Sequence, residues 1–190
     1  MKSKLMKFFA AAVLVAGSLS AHAAPLVYSD SNESGLFWAR PVGAGPSISG
    51  LGPVQYHLQP FFTDTSGLYD ISSVQSYDGY LHLYAGSFDP LDQLAGLIAG
   101  DDDGVGGIGT SDIDAIGLIA LTQYFLVTSG FAAGDYGTFT NTIELLDGDA
   151  TISAGRVGQQ QPSQVPEPGT LALLGLGLAG MGFARRSKKA

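Results

Sequence analysis

Three consecutive aspartates, Asp101 to Asp103, form the densest group of ionisable side chains in this 190-residue chain. More carboxylates lie close by in sequence: Asp89, Asp92, Asp112 and Asp114. Adjacent carboxylates repel one another, and a divalent cation bound between them relieves that repulsion. Because calcium takes six to eight oxygen ligands from flexible acidic loops, the run predicts a calcium site at Asp101, Asp102 and Asp103.

The spacing around these aspartates does not complete a known calcium motif. In an EF-hand loop beginning at Asp101, the fifth position would need an oxygen ligand, and Val105 occupies it. The glycines at 106, 107 and 109 are followed by Asp112 one residue too late for the calcium-binding glycine repeat. Two interpretations stay open: a site for calcium, the one candidate cofactor, or a solvated acidic loop.

Catalytic residues are not marked by any local pattern. Outside the N-terminal segment described below, His57 and His82 are the only histidines, and the chain contains no HExxH or GxSxG motif. Both histidines occupy alternating positions of predicted strands, which favours a structural role. We therefore expect no enzymatic activity and no catalytic residue. The alternative is a secreted hydrolase with a cryptic site, because catalytic triads assemble in space and not in sequence.

Two tyrosines, Tyr80 and Tyr84, flank His82 on one face of a predicted strand. An aromatic ring with a polar tip suits a wet interface, so both tyrosines are candidate contacts for sugar rings. The alternative is that this face forms a second buried layer, since aromatic side chains commonly fill cores.

The segments that carry these residues have the alternation of β-strands. From Val54 to Gln59, apolar and polar residues alternate with a period of two. Similar patterns predict strands at 68–75, 79–84, 124–128 and 136–145, early strands around Leu26 and Phe37–Trp38, and a last edge at 151–152. Residues 113–121 suit a strand or a short helix, and residues 87–109 are predicted to be a long acidic connection. Strands separated by turn sequences in this way predict an all-β fold, an antiparallel β-sandwich.

The first 23 residues have the three parts of a secretory signal peptide. Lysines at positions 2, 4 and 7 precede an apolar run of 12 residues, too short for the ~20 that a membrane-spanning helix needs. Ala21 and Ala23 then form a small-x-small cleavage site, which predicts that the exported chain begins at Ala24.

Charge is distributed unevenly along the chain. Residues 24–165 contain two basic and 16 acidic residues, a formal charge of −14, although the whole chain carries −8. Such a surface repels phosphate backbones, so nucleic acid and anionic lipid are not expected partners. The absence of cysteine excludes disulfide bonds and thiolate metal sites.

The C-terminal segment, residues 166–190, has three parts in order: the triplet Pro166, Glu167 and Pro168, an apolar stretch at 169–184 and a basic tail at 185–190. The 16 apolar-stretch residues would span ~24 Å as a helix, which is short for a ~30 Å hydrocarbon core. This ordered layout resembles the PEP-CTERM sorting signal of Gram-negative bacteria. The resemblance implies that an exosortase-type membrane protease recognises Pro166, Glu167 and Pro168 and releases the body after transient anchoring in the inner membrane. A permanent C-terminal membrane anchor is the alternative.

A second resemblance covers residues 54–145. It rests on the order and spacing of these segments: Gly67–Ile71, Tyr80–Pro90, Asp101–Gly104, Ser111, Tyr124–Val127 and Gly134–Phe139. Together they resemble the bacterial pre-peptidase C-terminal domain, which implies a jelly-roll-like sandwich. We expect no peptidase domain beside this region, so a role as accessory to a separately encoded protease is a further alternative.

These observations divide the chain as follows: signal peptide 1–23, irregular segment with early strands 24–53, β-sandwich 54–157, polar linker 158–165 and sorting signal 166–190. A signal helix and a short transmembrane helix are expected to flank the sandwich. The predicted function is that of a non-enzymatic protein exported to the envelope, surface or extracellular matrix of a Gram-negative bacterium. The expected role there is structural, adhesive or associated with exopolysaccharide.

Overall fold

The computed structural model describes residues 24–158, and all the regular elements of that part of the chain are β-strands. The strands are β1 Leu26–Ser31, β2 Phe37–Trp38, β3 Val54–Thr63, β4 Gly67–Gln75, β5 Gly79–Ala85, β6 Leu97–Asp101, β7 Thr110–Leu118, β8 Tyr124–Gly130, β9 Thr138–Leu145 and β10 Ile152–Ala154. Every pairing between these strands is antiparallel, which confirms the predicted all-β, antiparallel class. The predicted signal helix and transmembrane helix lie outside the described residues.

The strands form two sheets. One contains four strands in the order β1-β9-β4-β7, and the other has the order β10-β3-β8-β5-β6, with β2 also paired to β3. Both early strands belong to these sheets, because β1 pairs with β9 and β2 pairs with β3.

The two sheets pack face to face over a common apolar core. Tyr69, Ile71 and Ile143 project from the four-stranded sheet, and Leu83 and Leu126 meet them from the other sheet. Successive side chains of a strand point to opposite faces of the sheet, and every second residue of β4 from Tyr69 to Gln75 is accordingly buried. Burying each such large side chain contributes roughly 1.5–3 kcal/mol relative to exposure, so this interface dominates the stability of the fold.

A second, smaller core covers the outer face of the second sheet. It contains Trp38, Val54, Tyr56, Tyr84, Phe125 and Val127, with Phe88 packed against it. As a result β8 is buried along its whole length and β5 along six of its seven residues. Strands covered on both faces lose the in–out alternation, which is why both read as nearly continuous apolar runs.

Two strands differ from the sequence-based expectation. β6 lies within the predicted connection at 87–109, where its sequence Leu-Ile-Ala-Gly-Asp has no alternation. Residues 113–121 were expected to form a strand or a short helix, and the structure has the strand β7 there, at Thr110–Leu118. It pairs with β4 through a register shift next to Asp70, whose carboxylate accepts a 2.8 Å hydrogen bond from the Ala115 backbone N–H.

Candidate functional site

Three carboxylates meet at the end of the second sheet, where the chain leaves β6. Asp102 and Asp103 directly follow that strand, and Asp78 lies in the turn between β4 and β5. One carboxylate oxygen from each lies within 4.8 Å of the others. We call Asp78, Asp102 and Asp103 the acidic triad. Asp101, the remaining residue of the predicted set, is not in this group; its Oδ2 accepts a 2.8 Å hydrogen bond from the Asp112 backbone N–H.

A buried arginine provides positive charge next to the acidic triad. Arg40 is 2% exposed, and its guanidinium carbon lies 4.2 Å from the centre of the Tyr80 ring and 4.6 Å from that of Phe131. Its Nε donates to the Phe131 carbonyl at 2.8 Å and its Nη1 donates to the Pro41 carbonyl at 3.1 Å. Aromatic faces and carbonyl oxygens therefore compensate the buried charge at short range.

The triad is electrostatically strained at neutral pH. Burial, followed by repulsion from Asp103, raises the pKa of Asp102 to about 6, although the positive charge of Arg40 acts in the opposite direction. The pKa of Asp78 is also raised, by burial and then by the charges of Asp135 and Asp103. The Oδ1 atom of Asp102 is buried without a hydrogen-bond partner. A proton or a cation at this point would reduce the repulsion.

The donor set of the triad is chemically suited to a hard cation. All three groups offer carboxylate oxygens, the ligand type that calcium prefers. Three carboxylates do not complete a shell of six to eight oxygens, so backbone carbonyls or water would have to supply the rest. Sequence reasoning missed Asp78, because it lies 24 positions before Asp102 and only sheet pairing brings the two together.

His82 is enclosed by aromatic rings and backbone. It is 0% exposed, stacks on Tyr80 with ring centroids 4.6 Å apart and contacts Trp38 edge-on at 5.2 Å. Its Nε2 lies 3.1 Å from the Pro41 carbonyl oxygen and its Nδ1 has no hydrogen-bond partner. Burial lowers the pKa of His82 to about 3, so the ring is neutral and serves packing.

His57 is the more polar of the two histidines. Its Nε2 lies 3.2 Å from Asp30 Oδ2, and its ring packs 5.3 Å from that of Phe139. Burial lowers the pKa of His57, while the negative charge of Asp30 opposes this shift. Its Nδ1 is buried without a hydrogen-bond partner. Within residues 24–158, therefore, neither histidine is hydrogen-bonded to a serine hydroxyl as a catalytic base would be.

Tyr80 and Tyr84 do not form an exposed aromatic face. They are 4% and 0% exposed, because β2 and the segment 39–53 cover that side of β5. The Tyr80 hydroxyl accepts a 2.7 Å hydrogen bond from the Gly43 N–H, and the Tyr84 hydroxyl donates to the Gln93 carbonyl at 2.6 Å. The predicted sugar contact at these tyrosines is therefore wrong, and the alternative of a second buried layer is right.

Comparison with known proteins identifies the C-terminal segment. The PEP-CTERM protein-sorting motif matches residues 164–189. The chain carries a PEP-CTERM sorting signal. This motif indicates an exported protein that is anchored transiently through its C-terminus and processed by a membrane enzyme of the exosortase type. Searches of curated proteins and of solved structures found no match.

Several predicted features lie beyond the described part of the chain. The sorting-signal residues Pro166, Glu167 and Pro168 fall inside the matched motif, but they and the cleavage-site residues Ala21 and Ala23 lie outside residues 24–158. The same holds for the predicted transmembrane helix at 169–184. Within the described residues, no helix is long and apolar enough to span a bilayer. The resemblance of the body to the pre-peptidase C-terminal domain has no supporting match and stays a prediction.

Proposed function

We propose that this protein is a non-enzymatic component of the cell envelope or extracellular matrix, with a structural, adhesive or exopolysaccharide-associated role. The observation that carries the proposal is the PEP-CTERM sorting signal at residues 164–189, joined to an all-β body. The contacts of His57 and His82 support the non-enzymatic part, because within residues 24–158 the ring nitrogens contact the Asp30 carboxylate and the Pro41 carbonyl and neither ring is hydrogen-bonded to a serine hydroxyl.

The charge of the body supports an uncharged or cation-bridged partner. Residues 24–165 carry a formal charge of −14, which disfavours contact with nucleic acid or anionic lipid. An extracellular polysaccharide does not require a basic surface on its partner. Exopolysaccharide is therefore the partner class that we favour.

Processing is tested in the native host by intact-mass measurement and fractionation of the full-length chain. The wild-type protein should lose its C-terminal mass, whereas Glu167→Gln should retain a C-terminus at Ala190 and stay in the membrane fraction. Glu33→Gln is the matched control, because it makes the same change at an exposed site in the body. Wild-type protein that keeps Ala190 in the membrane would support the permanent anchor instead.

The polysaccharide role has a separate test. Processed protein isolated from the host is passed over the host's own extracellular polysaccharide, with and without calcium. We expect retention in at least one condition. Absence of retention in both would reject the polysaccharide role, while leaving the sorting result intact.

We also propose that the acidic triad binds calcium. The close approach of its three carboxylates and the raised pKa of Asp102 support this assignment. Millimolar calcium should raise the melting temperature of the EDTA-treated full-length chain, because an ion that binds the folded state preferentially stabilises it. Asp102→Asn should abolish the rise, and the control Asp92→Asn, at an exposed site, should preserve it. No rise in the wild type would identify the triad as a solvated acidic loop.

A further inference from the structure

A row of polar side chains crosses the inside of the sandwich at one end of the apolar core. In the four-stranded sheet, the registers of β1, β9, β4 and β7 place four such residues side by side. Two more are paired on β3 and β8 in the opposite sheet. We call these six residues the polar layer: Tyr28, Asn141, Ser73 and Ser111 on one sheet, and His57 and Thr128 on the other. Strand alternation turns them inward, since Ile71 and Ile143, two positions along from Ser73 and Asn141, belong to the apolar core.

The polar layer is buried and links the two sheets. Asn141 and Thr128 are 0% exposed and Ser73 is 1% exposed. The Asn141 Nδ2 atom donates to Thr128 Oγ1 at 2.7 Å across the sandwich and to the Tyr28 hydroxyl at 2.8 Å within its own sheet. At the other end of the row, the Ser111 hydroxyl donates to the Asp102 carbonyl at 2.7 Å. The layer therefore extends from the β1 edge to the acidic triad.

Several atoms of the layer have hydrogen-bonding capacity that no protein group uses. Asn141 Oδ1, Ser73 Oγ and His57 Nδ1 are all buried without a hydrogen-bond partner. Two residues further along β4, Gln75 Oε1 is also buried without a hydrogen-bond partner, although the Nε2 atom of Gln75 donates to Ser111 Oγ at 3.2 Å. Buried polar atoms without partners cost free energy, and their concentration at one level of the core points to a shared ligand.

The geometry selects a small neutral ligand. Ser73 and Asn141 are register partners on neighbouring strands, and the side chains of such pairs begin ~4.5–5.5 Å apart. That separation suits a single small molecule that bonds to both. The layer itself contains no carboxylate. Its atoms without a partner are the ring nitrogen His57 Nδ1, the hydroxyl oxygen of Ser73 and the amide oxygen of Asn141. Water both donates and accepts, and buried waters typically make about three hydrogen bonds to such groups.

We propose that the polar layer is a binding site for ordered internal water, which bridges Ser73 Oγ and Asn141 Oδ1 and forms part of the folded structure. The bound water completes the hydrogen bonds that the Asn141–Thr128 bridge leaves open. It also stabilises the relative position of the two sheets at the end nearest the acidic triad.

Ser73→Ala in the full-length chain tests the proposal. A serine hydroxyl without any partner is destabilising, so its removal would leave the melting temperature unchanged or raise it. A hydroxyl that holds water contributes to stability, so we expect the melting temperature to fall by a few degrees. Ser72→Ala, on the outward face of the same strand, is the control and should change it little.

A second measurement distinguishes a Ser73 hydroxyl that binds water from one without any partner. Oxygen-17 relaxation dispersion of water detects long-lived internal water molecules, and its amplitude should be smaller for Ser73→Ala than for Ser72→Ala. Equal amplitudes, or an unchanged or raised melting temperature in Ser73→Ala, would overturn the proposal. A wild-type melting temperature that depends on sodium at constant ionic strength would also overturn it, in favour of a monovalent cation.

Discussion

Replacement of Asp102 by asparagine tests the electrostatic strain of the acidic triad. Asparagine keeps the size and one oxygen of the side chain but removes the negative charge. Because burial and the neighbouring carboxylates raise the pKa of Asp102 to about 6, the ionised form is disfavoured in the folded protein. We therefore expect Asp102→Asn to increase the stability of the calcium-free chain at pH 7.

The size of the effect follows from the pKa. A rise from 3.8 to about 6 in the folded state would correspond to ~3 kcal/mol for a fully buried carboxylate. Asp102 is partly exposed, and solvent screening reduces the expected gain to about 1–2 kcal/mol. With a raised pKa in the folded state, the folded form binds its proton more tightly. The stability contributed by that proton is present below about pH 4 and is lost as the pH rises through 6.

Urea unfolding of the wild type and of Asp102→Asn, in EDTA between pH 3.5 and 8, measures this difference. The two free energies of unfolding should coincide near pH 4, diverge between pH 4 and 6 and differ by a constant amount above pH 7. Asp92→Asn, which removes a carboxylate at an exposed site outside the triad, is the control. A difference between wild type and Asp102→Asn that does not change with pH would refute the reasoning.

Three further substitutions test the packing around the site, each measured by urea unfolding. Leu83→Ala removes a fully buried side chain from the inter-sheet core and should cost about 2–5 kcal/mol. Gly100→Ala places a methyl group against the Gly43 carbonyl oxygen and the ring of His82, which should cost about 1–3 kcal/mol. Arg40→Met leaves two carbonyl acceptors unpaired and should cost about 2–4 kcal/mol at pH 7, with a smaller loss at pH 5, where protonated Asp102 needs less compensating charge.

The chain offers controls for these substitutions. Leu68→Ala trims a side chain that is 53% exposed on β4, and Gly117→Ala adds a methyl group where no atom lies within 4 Å. Both should change stability by less than about 1 kcal/mol. Losses as large as those of Leu83→Ala and Gly100→Ala would contradict the packing described here.

Arg40 is stabilised by direct contacts outside the acidic triad and also acts on the triad through its charge. Arg40 is one of two basic residues between positions 24 and 165, and its direct partners are carbonyl oxygens and aromatic rings. Its charge nevertheless opposes the raised pKa of both Asp78 and Asp102. The arginine therefore lowers the electrostatic cost of the triad without pairing closely with any of its carboxylates.

Local pattern was sufficient to predict most strands of the body. The period-two alternation at 54–59 and 68–75 reflects strands with one face toward a core, and it predicted β3 and β4 correctly, although β3 continues to Thr63. The turn residues between the strands are also local signals. β6 was missed because an edge strand pairs through its backbone, and its five residues carry no alternation that would mark it.

The C-terminal sorting signal is likewise recognisable from sequence alone. A sorting signal is recognised as a linear segment, so the order of the proline-glutamate-proline triplet, apolar stretch and basic tail is sufficient to identify it, and the match at residues 164–189 confirms this. The composition of residues 24–165 determines their charge in the same direct way.

Tertiary structure alone decided which residues share a site. Asp78 joins Asp102 and Asp103 because β5 lies beside β6, while the carboxylate of Asp101, adjacent in sequence, accepts a hydrogen bond from the Asp112 backbone N–H instead. Tyr84 became a core residue because Trp38, 46 positions away, covers it. Alternation shows that a strand has two faces, but only the packing of distant segments determines which face is covered, because the contacts that bury it are non-local.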